Sequence, residues 1–286
     1  MGEDAVALPV ADGGEGTCDV LRSSLGGEWR SAVAADPLGR PVSARWLLLP
    51  DGTAVVESAE AIGLGRLEAG ELNPLVASSA GLGELLLAVL ADGPASVLVC
   101  LGGSATVDGG AGLLAVLPEW PRRVALQVAC DVRNPLLGER GAARVFGPQK
   151  GASPEAVEEL ERRLVAMAEL APYRDLRGAG AAGGLGAALA SLGGALVEGG
   201  ELVLDRIGFD RRAQAADLVV TGEGRVDETT FEGKAPGAVV RRCERLGVPC
   251  VLFSGQVTNC HLPVRLLSGD PARARKDLAE LGLSLR

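Results

Sequence analysis

Histidine is nearly missing from this 286-residue chain: His261 stands alone against 28 Lys and Arg and 37 Asp and Glu. Chemistry that uses imidazole as base or metal ligand therefore has little to draw on. No serine lies in a G-x-S-x-G elbow, so the sequence mark of an α/β-hydrolase is absent. The six cysteines (Cys18, Cys100, Cys130, Cys243, Cys250, Cys260) form no C-x-x-C pair and sit mostly in apolar runs. Neither a disulfide framework nor a zinc site is indicated. Aromatic residues make up 3% and the formal net charge is −9, a composition without the basic patches and stacking platforms of nucleic-acid binders. Hydrophobic residues reach 47%, yet no apolar run attains the roughly 18 residues of a membrane span, and no basic-then-apolar leader opens the sequence. A cytoplasmic protein that engages neither membrane nor nucleic acid is expected.

What the chain has in excess is glycine, 41 residues, about twice average usage and clustered, as close backbone approaches require. Apolar runs at 5–10, 44–49, 54–56, 96–101, 124–130, 218–221, 249–254 and 264–268 read as strands. Helical patterns fall at 17–24, 83–91, 154–170, 184–192, 235–246 and 272–281. The segment from residue 154 is the clearest, with Ser153 as N-cap, Pro154 at the first helical position and Glu155, Glu158 and Glu159 in its first turns. This alternation predicts an α/β fold. Soft seams between units are placed near 36–41 and 199–205.

Five apolar runs feed loops rich in glycine and acid or hydroxyl residues: "ADGGEGT" (11–17), "LGGSATVDGGAG" (101–112), "ACDVRNPL" (129–136), "GAGAAGGLG" (178–186) and "VVTGEGRVDETTFEGKAPG" (219–237). Such loops present backbone amides at strand ends, where open α/β sheets bind anions. No G-x-x-x-x-G-K-[ST] motif occurs, because Ala235 follows Lys234 and Gly151 follows Lys150, which excludes a Walker-type nucleotide site. Gly178, Gly180 and Gly183 spell G-x-G-x-x-G, but "APYRDLR" ahead of them is a poor strand, so a nicotinamide- or flavin-dependent oxidoreductase is the weaker alternative. Phosphoryl transfer needs hard oxygens for a divalent metal, a proton acceptor and cations. Asp12, Glu15, Asp108, Asp131, Glu223 and Asp227 supply the oxygens, and Lys150, Arg225 and Lys234 the positive charge.

"PVADGGEGT", "GGSATVDGGAG", "CDVRNPLLGERGAARVFGPQKGA", "GAGAAGGLGAAL" and "DLVVTGEGRVDETTFEGKAP" occur in this order from about residue 7 to 255, and together they resemble the bacterial glycerate kinases. The resemblance implies an ATP-dependent, Mg2+-requiring transferase that phosphorylates a hydroxyl of D-glycerate, with the 2- or 3-phosphate as product. It also implies a flavodoxin-like domain formed by residues 1–35 and 205–286, with a second α/β domain, 36–204, inserted into it. Asp12, Lys150 and Asp227 are then the catalytic candidates, Asp12 or Asp227 serving as base or metal-linked carboxylate. Ser104, Thr106, Arg225, Gly183 and Gly184 would hold the substrate. Gly13, Gly14, Gly16, Gly102, Gly103, Gly222, Gly224 and Lys234 would line a phosphate path. Asp131, Asn134 and Glu223 would hold magnesium.

The chain also departs from the family pattern. A first strand and its lysine are expected ahead of "PVADGGEGT", and the stretch between Gly112 and Val128 is shorter than usual. Val107 stands where an asparagine is usual, Arg133 where an acid is usual, and "SSAGLGEL" lacks the usual tyrosine and threonine. These changes define the competing expectation, a catalytically impaired relative that keeps the fold and a ligand cleft. A strand missing from a sheet would expose an edge and favour self-association.

Overall fold

The computed structural model describes residues 5–260 and 262–285; His261 lies outside them. Its elements begin with α1 (Thr17–Leu25), β1 (Glu28–Ala35), β2 (Pro41–Leu48), β3 (Thr53–Glu57), α2 (Ala59–Ile62), α3 (Ala80–Ala91) and β4 (Ser96–Cys100). Next come α4 (Ala111–Val116), β5 (Ala125–Cys130), α5 (Ala142–Phe146), α6 (Pro154–Ala166), α7 (Ala181–Ser191), β6 (Ala195–Glu198) and α8 (Gly199–Arg206). The chain continues through α9 (Phe209–Gln214), β7 (Val219–Val226), α10 (Ala235–Leu246), β8 (Cys250–Val257), β9 (Val264–Leu266) and α11 (Ala274–Ser284). No helix among the described residues is long and apolar enough to cross a membrane.

Six strands form one sheet in simple sequence order, β1 to β6, and three form a second, β7-β8-β9. In the large sheet β1, β2 and β3 pair antiparallel, while β3, β4, β5 and β6 run parallel. Parallel strands added always in one direction, through crossovers of one hand, put their connecting helices on a single face. Accordingly α3, α4 and α7 cover that face, packing Leu82, Leu86, Leu113 and Leu185 on Val56, Val99 and Val128. The alternate strand residues, Val55, Leu98, Cys100 and Ala129, point the other way. There they meet helices from outside that run: Leu21 of α1, Val203 and Leu204 of α8, and Val239 and Cys243 of α10. A sheet covered on both faces needs strands apolar on both sides, and β3 is buried at every position.

The α/β class predicted from the alternation is the one observed, and seven of the eight predicted strands form. The exception is the run 5–10, which makes no ladder; Leu8 and Val10 instead lie against the α1–α8–α10 side of the core. Their apolar surface is covered by side-chain contact alone. Two strands were not foreseen. Exposed polar positions in β1 break up its apolar pattern, and β6 is only four residues long.

The seam at 36–41 is no linker but the turn of the β1–β2 hairpin. Asp36 holds it through Oδ1, which accepts the amides of Leu38 and Arg40 at 2.8 and 2.9 Å, and through Oδ2 on Arg40 Nε at 2.5 Å. β1 is paired with β2 along its whole length, so residues 28–35 belong with the large sheet and not with the unit expected to end at residue 35. The second seam, 199–205, lies within α8. No strand precedes the G-x-G-x-x-G stretch, which instead breaks the first turn of α7 with three left-handed residues, Ala182, Gly183 and Gly184 at φ 51, 76 and 99°. The strand–loop–helix context of a dinucleotide site is therefore absent there.

Two close approaches test the architecture. A methyl group at Gly199 would sit 1.9 Å from the Asp12 carbonyl oxygen, whereas at Gly224 it would meet nothing within 4 Å. Gly199→Ala should cost about 2 kcal/mol or more in urea unfolding, and Gly224→Ala should stay within about 0.5 kcal/mol. Equal costs would contradict the packing described.

Candidate functional site

The carboxyl ends of β3 to β6 lie along one edge of the large sheet, the side on which open α/β sheets bind ligands. Across this edge the loop 12–18 runs as a strap. A methyl group at Gly13 would lie 2.6 Å from the Gly199 Cα and 2.9 Å from the Ala129 Cβ, so this residue is pressed onto the ends of β5 and β6. The next residues pass over the end of β4: a methyl at Gly102 would fall 2.9 Å from the Gly14 Cα, and the Glu15 carboxylate covers Gly103. The strap ends at β3, where Glu57 Oε1 accepts the Cys18 amide at 2.7 Å.

The phosphate path expected along this loop has thus largely been filled by the protein itself. Asp12 Oδ1 accepts the Gly14 amide at 3.1 Å, and Glu57 occupies the start of α1, the place where a bound anion would otherwise sit. The glycines bring backbone to backbone. Gly222 and Gly224 likewise belong to β7, which stays in register with β8 from Val219 to Val226; a methyl at Gly222 would strike the Phe253 carbonyl oxygen at 2.3 Å.

The "GGSATVDGG" loop is anchored from below by a buried lysine. Lys150, 3% exposed, donates from Nζ to Ser104 Oγ at 3.0 Å and to the Thr106 carbonyl at 2.8 Å. Burial pulls its pKa down to about 7, against the opposing charge of Asp108. Lys150 thereby shapes the loop that carries Ser104 and Thr106. Asp108 ties the same loop to α3 and α4, accepting the Ser79 hydroxyl at 2.7 Å and the amides of Ser79, Gly110 and Gly112. Gly183 and Gly184 pack behind it, on the Thr106 carbonyl and on Gly109. Thr106 Oγ1 is buried and has no hydrogen-bond partner.

Where the two sheets meet, Gly233 packs on the Asp131 carbonyl and Gly200 on Ala238. Here a pair of acids and a lysine come together. Burial, then the charge of Asp12, push the Asp131 carboxyl up to about 6, and Lys234 draws it back. Lys234 also faces Glu223 at 3.8 Å.

Two residues of the expected magnesium set, Asn134 and Glu223, have hydrogen-bond partners within the protein. Asn134 Nδ2 donates to the Arg140 carbonyl at 2.7 Å, and Glu223 Oε1 accepts the Thr230 hydroxyl at 2.6 Å. No group of three or more His, Cys, Asp or Glu is placed to hold a metal among the described residues. Arg225 and Asp227 pair with each other at 3.6 Å, and the Asp227 amide donates to Thr230 Oγ1 at 3.1 Å.

Two residues of doubt find structural partners. Val107 is buried in the apolar cluster of α5, α6 and α7, and Arg133 pairs with Glu198 at 3.3 Å. Sequence reasoning passed over Glu57, whose contacts lie 39 positions away. It also missed a cavity of ≈ 620 Å3 between the strap and β2, lined by Glu15, Arg45, Glu57, Glu60 and Arg66.

Acid-bearing glycine loops on the carboxyl edge of a parallel sheet, with a lysine facing paired carboxylates, define an α/β protein equipped for small anionic substrates and phosphoryl groups. The glycerate kinase family model matches residues 1–118 and 114–265, and the chain belongs to that family. It is 39% identical over 295 residues to a glycerate kinase of Bacillus subtilis (strain 168), covering 90% of this chain and 77% of that one. To a glycerate 2-kinase of Escherichia coli (strain K12) it is 38% identical over 292 residues, covering 89% and 77%. A crystal structure assigned as glycerate kinase 2 from Salmonella typhimurium LT2 superposes with a TM-score of 0.76 at 36% identity, over 91% of this chain and 79% of that one. The two stretches matched by the family model meet at 114–118, inside the region expected to be shorter than usual.

Lys150 makes stability depend on pH in a definite direction. Between about pH 7 and its ordinary value of 10.5 the unfolded chain binds the proton that the folded chain has lost, so stability rises with pH; below about 7 both states are protonated and the burial cost is fully present. Relative to Lys150→Met, the native chain should gain about 1 kcal/mol per pH unit between about pH 7.5 and 9.5 in urea titrations. Parallel curves would show that Lys150 keeps an ordinary pKa.

Proposed function

We propose that this chain is an ATP-dependent kinase of D-glycerate, and that the Asp12–Asp131 pair with Lys234 is its chemical centre. The observation that carries this is the backbone packing that sets Gly233, next to Lys234, on the Asp131 carbonyl and Gly13, next to Asp12, on Ala129 and Gly199, with Asp12 and Lys234 both acting on the Asp131 carboxyl, in a chain of the glycerate kinase family. Phosphoryl transfer asks the protein mainly for positioning and charge. Lys234 would neutralise transferring oxygens. A carboxylate of this pair would take the proton of the attacking hydroxyl. Ser104 and Thr106, held by Lys150, would position the substrate, Thr106 through its unpaired hydroxyl.

Magnesium fits Asp12 and Asp131 better than the set first expected, because Mg2+ needs only one or two carboxylates when phosphates and water complete its shell. It would supply charge neutralisation for the nucleotide phosphates. We take the two units as the six-stranded and three-stranded sheets with their helices, the site lying at their junction. Val107 in the core and Arg133 on Glu198 favour an active enzyme over an impaired relative, since neither occupies the acid–lysine cluster.

The test is ADP release from ATP and D-glycerate with magnesium. Asp12→Asn, Asp131→Asn and Lys234→Met should each lower kcat by about 100-fold or more while keeping the native circular dichroism. Glycerate-independent ADP release, or variants as active as the parent, would dismiss this centre.

A further inference from the structure

We propose that Glu57 is a positioning residue of the phosphoryl-transfer site: its carboxylate pins the far end of the strap and so holds Asp12 in place. The inference rests on the role given to Asp12 above. α1 opens on Gly16, a left-handed residue at φ 84° that offers no side chain to its own helix. The first amides of a helix need acceptors, and here they find one far away in sequence. Glu57 Oε1 accepts the Cys18 amide at 2.7 Å. This is a hydrogen bond to a carboxylate at the positive end of a helix.

The acceptor stands on a rigid support. Glu57 is the last residue of β3, paired with Cys100 of β4 in the parallel ladder, and it is 9% exposed. The strap therefore has two fixed points. At one end Gly13 is wedged against Gly199 and Ala129; at the other Cys18 hangs from Glu57. Gly13 and Gly16 both have positive φ, 91 and 84°, a region glycine enters and leaves without steric cost. Such a segment stays in one conformation only while its ends are held. Asp12 adjoins the first fixed point, so release of the second would give the strap freedom to move the carboxylate that faces Asp131. Shifts on the order of 1 Å at a reacting group can cost about 100-fold in rate.

The full-length chain should be compared with Glu57→Gln and Glu57→Ala by amide hydrogen exchange and by steady-state kinetics. Glutamine keeps an acceptor for the Cys18 amide; alanine removes it. Glu57→Gln should retain exchange protection at residues 13–20 and a kcat within about 3-fold of the parent. In Glu57→Ala, exchange at 13–20 should speed up about 10-fold or more with β4 unchanged, and kcat should fall about 30-fold or more with KM for ATP within about 3-fold. Three results would overturn the proposal: a glutamine variant as impaired as alanine, which would mean that the charge itself meets substrate; an alanine variant like the parent; or faster exchange across β3 and β4 alike, which would mark a general loss of fold. Failure of the parent to phosphorylate glycerate would remove the role of Asp12, while the exchange comparison would still decide whether Glu57 fixes the strap.

Discussion

The contact of Gly13 with Gly199 and Ala129 governs the arrangement of this molecule. Backbone approaches that close leave no room for a side chain on either partner, and they let one loop lie flat across the ends of neighbouring parallel strands. The same need recurs at Gly102, under the strap, and at Gly233, on the Asp131 carbonyl. Much of the glycine excess is accounted for in this way. It brings four strand ends, one strap and the start of α10 within reach of each other, and the charged groups of the site ride on those pieces.

Charge in this region is arranged by pairing. With a formal net charge of −9, the chain does not attract anionic substrates by its overall field, and positive charge has to be local. Lys234 meets Glu223 and draws on the charge of Asp131, Arg133 meets Glu198, and Arg45 and Arg66 meet Glu60. Even the helix start that could have held a phosphate is given to Glu57. Lys150 differs: buried without a carboxylate in hydrogen-bond contact, it spends its donors on Ser104 and the Thr106 carbonyl, so its contribution is the shape of a loop.

How much of this could be read from the sequence depends on the range of the interaction. Local signals were reliable: Ser153 caps α6, its Oγ accepting the Ala156 amide at 3.2 Å, and the apolar runs of β3, β4, β5 and β8 are strands. The α/β class and the family followed from blocks of sequence. What failed was anything set by a partner elsewhere. The run 5–10 resembles a strand but has no ladder, and the glycines of 222–224 resemble a loop but continue β7 beside β8. Asp36 and its neighbours read as a domain seam and are a hairpin turn. Asp12, Asp131 and Lys234 were named in advance, in separate roles; that Asp12 and Lys234 both act on the Asp131 carboxyl depends on tertiary packing.

The core on the strap side of the large sheet joins Val55, Leu98 and Ala129 to Val203, Phe209, Val239 and Cys243. The residues that complete this face arrive long after the strands they cover have been made. During synthesis β3, β4 and β5 must wait, one apolar face covered only by α1, until α8 and α10 emerge from the ribosome. Contacts so distant in sequence slow folding and prolong exposure of sticky surface. The two sheets consequently share one folding fate: damage to α10 would be felt first as an uncovered large sheet, in a newly made chain searching for the helix it lacks.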